Sequence, residues 1–141
     1  MQILSDTLAV LDWKQDQFLS RWVERDQYLT TYDPRIESLI CPLIPIGGTV
    51  IDVGANLGSH TVAYANRVGP SGMVIAIEPN PSILECLYYN TKAYPQVKVW
   101  PVAAGSQSQQ IGCYPNRYNP GASIVSEWST IAPLSIPCIT L

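Results

Sequence analysis

The sequence predicts an α/β fold, a doubly wound parallel sheet preceded by helices, and three observations carry the prediction. Short apolar runs at residues 49–53, 73–77 and 97–102 alternate with stretches whose apolar residues recur at helical spacing. The first run ends in a tight loop, Gly54-Ala55-Asn56-Leu57-Gly58, that opens one of those helical stretches. Acids mark the ends of the first two runs: Asp52 is the penultimate residue of one, and Glu78 directly follows the other.

The elements follow in order. From Leu4 the apolar residues Leu8, Leu11, Leu19, Trp22 and Val23 fit one or two amphipathic helices before Tyr28. Asp33-Pro34 reads as a helix cap followed by proline at the first helical position, with Ile36, Leu39 and Ile40 inward until Pro42 and Pro45 stop the helix. Residues 1–46 are thus expected to form an N-terminal helical segment, and residues 47–141 the sheet domain. Thr49–Val53 is strand one, and Leu57, Val62, Ala65 and Val68 mark the helix after it. Gly69-Pro70-Ser71-Gly72 is a turn, and the unbroken apolar run Met73–Ile77 suits a parallel strand covered on both faces. Asn80-Pro81 repeats the cap-then-proline pattern, with Ile83, Leu84, Leu87, Tyr88 and Thr91 lining one face before Pro95. Residues 97–102 give strand three, and Pro101 within it marks a sheet edge. This is the 3-2-1 half of a doubly wound sheet, whose ligand crevice lies at the carboxyl end of strand one. Beyond Ala104 the chain turns to Ser, Gln, Asn, Gly and Pro, and irregular antiparallel strands or loops are expected there.

Composition narrows the function classes. At 141 residues and 47% apolar content, one domain with a core is the expectation. The net charge of -3, with Lys and Arg scattered from Lys14 to Arg117, gives no footprint for nucleic acid. Cys41, Cys86, Cys113 and Cys138 lie 45, 27 and 25 residues apart, with a single histidine in the chain, so no metal site is expected. The start Met-Gln-Ile-Leu-Ser-Asp lacks a basic and then apolar leader, which suggests reduced thiols and a cytoplasmic location. The longest apolar stretch, Leu39 to Val53, is broken by Pro42, Pro45 and Gly47-Gly48, short of the about 20 residues that span a bilayer.

The chemistry concentrates in the loop. A glycine turn between strand and helix lets the backbone approach a ligand and presents helix N-terminal N–H groups to it. The spacing is not the G-x-G-x-x-G of dinucleotide folds, and Asp52 before it would repel a pyrophosphate, which disfavours a nicotinamide-dependent oxidoreductase. A carboxylate there suits a cationic ligand bearing a sulfonium and an ammonium. Asn56 sits at the middle of the loop and tolerates a left-handed backbone. Glu78, 24 residues beyond Gly54, stands close to the separation at which an acid accepts from two ribose hydroxyls. His60, in the first helical turn, is more simply a packing or capping side chain than a catalyst. Trp13, Trp22, Tyr28 and Tyr32 read first as core or interface and second as a lid. Tyr114, Tyr118 and Trp128 fall in the loop-rich tail and are candidates for substrate contact by residue type alone.

The stretch from Val50 to Thr61, Val-Ile-Asp-Val-Gly-Ala-Asn-Leu-Gly-Ser-His-Thr, with Gly72-Met-Val-Ile-Ala-Ile-Glu-Pro-Asn-Pro81, resembles the FkbM family of class I methyltransferases. The resemblance is clear from about Gly47 to Ala104 and weaker at Gly121-Ala122-Ser123 and at Ile136 to Leu141. It implies a Rossmann-like doubly wound parallel sheet of class I methyltransferase type, S-adenosylmethionine as cofactor, and O-methylation of a hydroxyl on a small molecule, a sugar or a glycan. Carried over by position, Asp52 with Gly54, Ala55, Asn56 and Gly58 would hold the methionine part, Glu78 the ribose, Pro79 and Asn80 the adenosine edge, and Ala103 the adenine. Family members continue past the Ile-Thr-Leu segment with further strands, so residues 47–141 read as a truncated domain: strands one to three and a loop-rich tail. Most acceptor contacts and any general base would lie in the missing part, and no catalytic residue is assigned. Strand one would then be an unpaired Val- and Ile-rich edge open to self-association. A non-catalytic cofactor-binding remnant that needs a partner chain is the alternative.

Overall fold

The computed structural model describes residues 2–5, 8–10, 36–113 and 133–141. The central feature is a three-stranded parallel sheet with order β3-β4-β5, formed by β3 (Thr49–Val53), β4 (Met73–Ile77) and β5 (Val97–Trp100). Thr49 pairs with Met73 through to Val53 with Ile77, and Val74 pairs with Val97 through to Ile77 with Trp100. The carboxyl ends of the strands are therefore in step, and the loops that leave them share one edge of the sheet. Helix α1 (Ser59–Val68) joins β3 to β4, and α2 (Pro81–Thr91) joins β4 to β5. This is the predicted α/β arrangement, and β5 is an edge strand among the described residues.

Both helices cover the same face. Ala65 and Val68 of α1 pack with Val74, with Val50 and Val97 against them, and Leu87 of α2 packs with Ala76 beside Val97 and Val99. Alternate residues point the other way, and there Ile51, Val53, Met73 and Trp100 are exposed. Strand β4 was expected to be covered on both faces. The second face is covered only toward the carboxyl end: Met73 is exposed, Ile75 half-buried and Ile77 buried, while the two crossover helices lie together on the other side.

The inward stripe of α2 also differs from expectation. Ile83, Leu87 and Thr91 are buried as anticipated, but Cys86 and Asn90 turn inward while Tyr88 is 50% exposed. A helix turns about 100° per residue, so a stripe centred between Leu87 and Asn90 leaves Tyr88 at its margin.

At the N-terminus, β1 (Gln2–Ser5) and β2 (Leu8–Val10) form an antiparallel pair beside α2, where a helix from Leu4 was expected. In the sequence Ile3-Leu4 and Leu8-Ala9-Val10 flank the polar run Ser5-Asp6-Thr7, and such residue types favour a chain reversal over a helix interior. The rest of that helical stretch, with Trp13 and Trp22, lies outside the described residues, as do Tyr28, Tyr32 and the Asp33-Pro34 cap expected to open the next helix. A π-type segment, Ile36–Ile40, and a 3-10 turn, Cys41–Leu43, follow. Arg67 in the last turn of α1 pins this connection by donating to the Ile44 and Pro42 carbonyls at 2.7 and 3.3 Å.

Past β5 the chain enters a second sheet of order β6-β8-β7: β6 (Ala103–Ala104), β7 (Gln109–Cys113) and β8 (Leu134–Ile139). Here the expected irregular antiparallel strands take a definite form, with β7 antiparallel and β6 parallel to β8. Ala103, Cys113, Ile136 and Cys138 form its small core. Pro137 lies in the middle strand. Gly105 donates to the Ile139 carbonyl, so by strand alternation the donor that Pro137 lacks would face the β6 side, where β6 has only just begun. All four cysteines are buried. No described helix is long and apolar enough to cross a membrane.

Candidate functional site

The loop after β3 is shaped by three left-handed residues. Gly54, Asn56 and Gly58 have φ of 79°, 51° and 95°. Asparagine is among the few side chains that adopt this conformation readily, and here Asn56 Oδ1 also accepts the Leu57 N–H at 2.7 Å. At Gly58 a side chain is excluded twice over, by the backbone and by Leu87 Cδ1, which would lie 2.8 Å from an added Cβ. At Gly54 an added Cβ would meet nothing within 4 Å among the described residues, so the loop surface is open there.

Both acids stand at this loop. Glu78 is buried, and its two oxygens accept backbone N–H groups: Oε2 from Asn56 at 2.9 Å and Oε1 from Asn80 at 2.8 Å. The Gly54 and Ala55 N–H groups both reach the Ile77 carbonyl, at 2.9 and 3.0 Å. The acid at the end of β4 thus clasps the loop after β3 to the loop that opens α2. Asp52 points to the helical face of the sheet and is 8% exposed, and its Oδ2 accepts the Thr61 hydroxyl at 2.5 Å.

The electrostatics follow from burial. Desolvation holds the Asp52 carboxyl above the usual carboxylate range, against the lowering effect of the Thr61 hydroxyl and then of His60. Glu78 is likewise raised, by burial first, with the Asn80 and Asn56 N–H groups opposing and the charge of Asp52 adding. Two buried acids, one of which raises the other, favour a ligand that brings positive charge or donors.

The structure brings together Asp52, Gly54, Ala55, Asn56, Gly58, Glu78, Pro79 and Asn80 at one sheet edge. Ala103 sits differently: its side chain is committed to the core of the second sheet. Another member of that core, Cys113, feels the Glu78 charge, which together with the larger effect of burial raises its thiol pKa. The second sheet therefore adjoins the acid. His60 is half-buried in the first turn of α1, with its ring 6.2 Å from that of Tyr64. Tyr114, Tyr118 and Trp128 lie outside the described residues.

Two side chains that sequence reading missed support the loop. Thr61 is fully buried and holds Asp52, and the buried Asn90 donates its side-chain N–H to the Leu57 carbonyl at 2.8 Å. A polar residue within an inward-facing helical stripe is the signal that would have found both.

Residues 52–133 match the family model of the methyltransferase FkbM domain. A comparison with curated proteins finds no match. Among solved structures, an S-adenosylmethionine-dependent O-methyltransferase from Thermotoga maritima is 21% identical with a TM-score of 0.46, and the alignment covers 60% of this chain and 34% of that one. A SAM-dependent methyltransferase from Aquifex aeolicus is 20% identical with a TM-score of 0.43, over 67% of this chain and 50% of that one. Fibrillarin from Aeropyrum pernix, solved with S-adenosylmethionine bound, is 15% identical with a TM-score of 0.41, over 42% and 26%. The chain thus spans half or less of the length of these structures.

Proposed function

Because the chain belongs to the FkbM methyltransferase family, we propose that it binds S-adenosylmethionine at the Gly54–Gly58 loop and serves O-methylation of a hydroxyl on a small molecule, a sugar or a glycan. One observation carries the cofactor reading. The buried Asp52 carboxylate has one oxygen on Thr61 and no hydrogen-bond partner for the other among the described residues, next to a glycine loop with open space at Gly54. A buried charge left so is expensive unless a cation or donor completes it.

Asp52 and the loop would hold the methionine part. Glu78, already fixed by two backbone donors, keeps lone pairs for ribose hydroxyls. Pro79 and Asn80 would border the adenosine, and Ala103 would offer adenine its backbone, since its side chain is engaged elsewhere. The cofactor supplies an activated methyl group on a sulfonium. The chain's contribution to rate is then to fix that group so that an acceptor oxygen lies in line with it.

Calorimetry with S-adenosylhomocysteine tests this reading. The wild type is expected to bind, and Asp52→Ala and Glu78→Ala to weaken binding by about tenfold or more, the scale of a lost charge-assisted hydrogen bond. No binding by the wild type, or wild-type affinity in both variants, would make the assignment wrong.

A second reading is a non-catalytic cofactor-binding module completed by a partner chain or a second copy. It is favoured by β3, which ends the sheet among the described residues with Ile51 49% and Val53 56% exposed. Methyl transfer to a panel of sugar and small-molecule hydroxyls by the isolated chain would decide for the enzyme.

A further inference from the structure

We propose that Thr61 is a positioning residue of the cofactor site, its hydroxyl fixing the Asp52 carboxylate so that the other oxygen meets the amino group of the ligand's methionine part. The proposal rests on the S-adenosylmethionine reading above, and its basis is the choice of partner that the Thr61 hydroxyl makes. A buried threonine in a helix ordinarily bonds back to the carbonyl four residues earlier. Thr91 in α2 does so, donating to the Leu87 carbonyl at 2.7 Å. For Thr61, in the first turn of α1, that carbonyl belongs to Leu57, which precedes the Gly58 cap and receives the Asn90 side chain from the neighbouring helix at 2.8 Å. The Thr61 hydroxyl is instead donated across to the sheet, to Asp52 Oδ2 at 2.5 Å, in the range of a hydrogen bond to an ionised acceptor.

The consequence is a carboxylate fixed in rotation. With Oδ2 occupied, Oδ1 is the oxygen left to a ligand, and it has no partner among the described residues although Asp52 is almost fully buried. The charged and titratable groups around it are His60 and Tyr64 on α1 and Glu78 after β4. His60 favours the ionised Asp52, whose charge in turn raises Glu78. An ammonium at Oδ1 adds attraction that this set lacks.

The experiment compares two ligands on wild type, Thr61→Val and Thr61→Ser. S-adenosylhomocysteine carries the amino group, whereas 5′-methylthioadenosine keeps the nucleoside and lacks it. Thr61→Val is expected to weaken S-adenosylhomocysteine by about tenfold or more and to move the acid limb of its binding profile to higher pH. Thr61→Ser restores both, and the affinity for 5′-methylthioadenosine stays level across all three proteins. Equal weakening of both ligands, or of neither, overturns the proposal. Failure of the wild type to bind either ligand overturns the cofactor reading itself. If Thr61→Val does not fold, carbon-detected titration of the wild-type Asp52 carboxyl decides. Bound S-adenosylhomocysteine must lower its pKa, and an unchanged value overturns the proposal.

Discussion

Gly54 and Gly58 bracket one loop with the same left-handed backbone, yet substitutions there are expected to fail differently. Gly58→Ala combines conformational strain with a Cβ 2.8 Å from Leu87 Cδ1, and should destabilise the fold by about 2 kcal/mol or more in urea denaturation. Gly54→Ala meets no atom within 4 Å among the described residues, so its cost is that of the left-handed conformation alone, about 1 kcal/mol, while at the proposed cofactor site its methyl group would stand in the ligand's approach. Its main effect is therefore expected in S-adenosylhomocysteine affinity. Asp52 makes a pH-dependent prediction. Its folded pKa lies above the unfolded value, so just above the usual carboxylate range the folded state keeps a proton that the unfolded state has lost. Stability from this group is present at low pH and declines as pH rises through that window. Asp52→Asn removes the effect, so the melting temperature of the variant minus that of wild type should shrink from pH 7 to pH 5. A pH-independent difference in differential scanning calorimetry would count against the buried, uncompensated charge.

At the scale of elements, α2 holds the site by its inward stripe, and the stripe's exact rotation is testable. Leu87 is fully buried against Ala76 and Ala55, and Leu87→Ala should cost about 3 kcal/mol in chemical denaturation. Tyr88→Ala, on the exposed side, should cost within about 0.5 kcal/mol. Comparable losses at both positions would place the stripe where the sequence pattern first put it. That pattern was legible for the strands at 49–53 and 73–77 and for the starts and lengths of the helices, because apolar runs, caps and prolines act locally. It misplaced the margin of α2, since Asn90 is turned inward to the Leu57 carbonyl, a partner that a helical wheel does not contain, and Cys86 is buried one turn before it. The second sheet was only vaguely legible. Gln109-Gln110-Ile111-Gly112-Cys113 has no clean alternation, and Pro137 argues against the middle strand it occupies.

At the largest scale, the decisive feature is that α1 and α2 cover one face of the sheet and that β3 stands at its edge among the described residues. An edge strand presents unpaired backbone groups, and Ile51 and Val53 add exposed apolar surface. Association through it, whether with a second copy or a partner chain, is expected to weaken when a lysine is placed there. Ile51→Lys should lower the concentration dependence of the sedimentation coefficient while leaving the melting temperature within a few degrees of wild type. Unchanged association would move the contact away from β3.

From Thr49 to Trp100 the sequence by itself determined the order of strands and helices, the glycine loop and the two acids, because turn chemistry, periodicity and the positions of Asp52 and Glu78 are properties of neighbouring residues. Tertiary structure alone decided that Glu78 clasps the loop through the Asn56 and Asn80 N–H groups and that Thr61 commits one oxygen of Asp52. It also turned the Ala103 side chain into a second core. Each of these is a choice among competing partners for a buried polar or apolar group. That choice depends on which atoms the packed elements bring within reach, and one-dimensional spacing does not contain it.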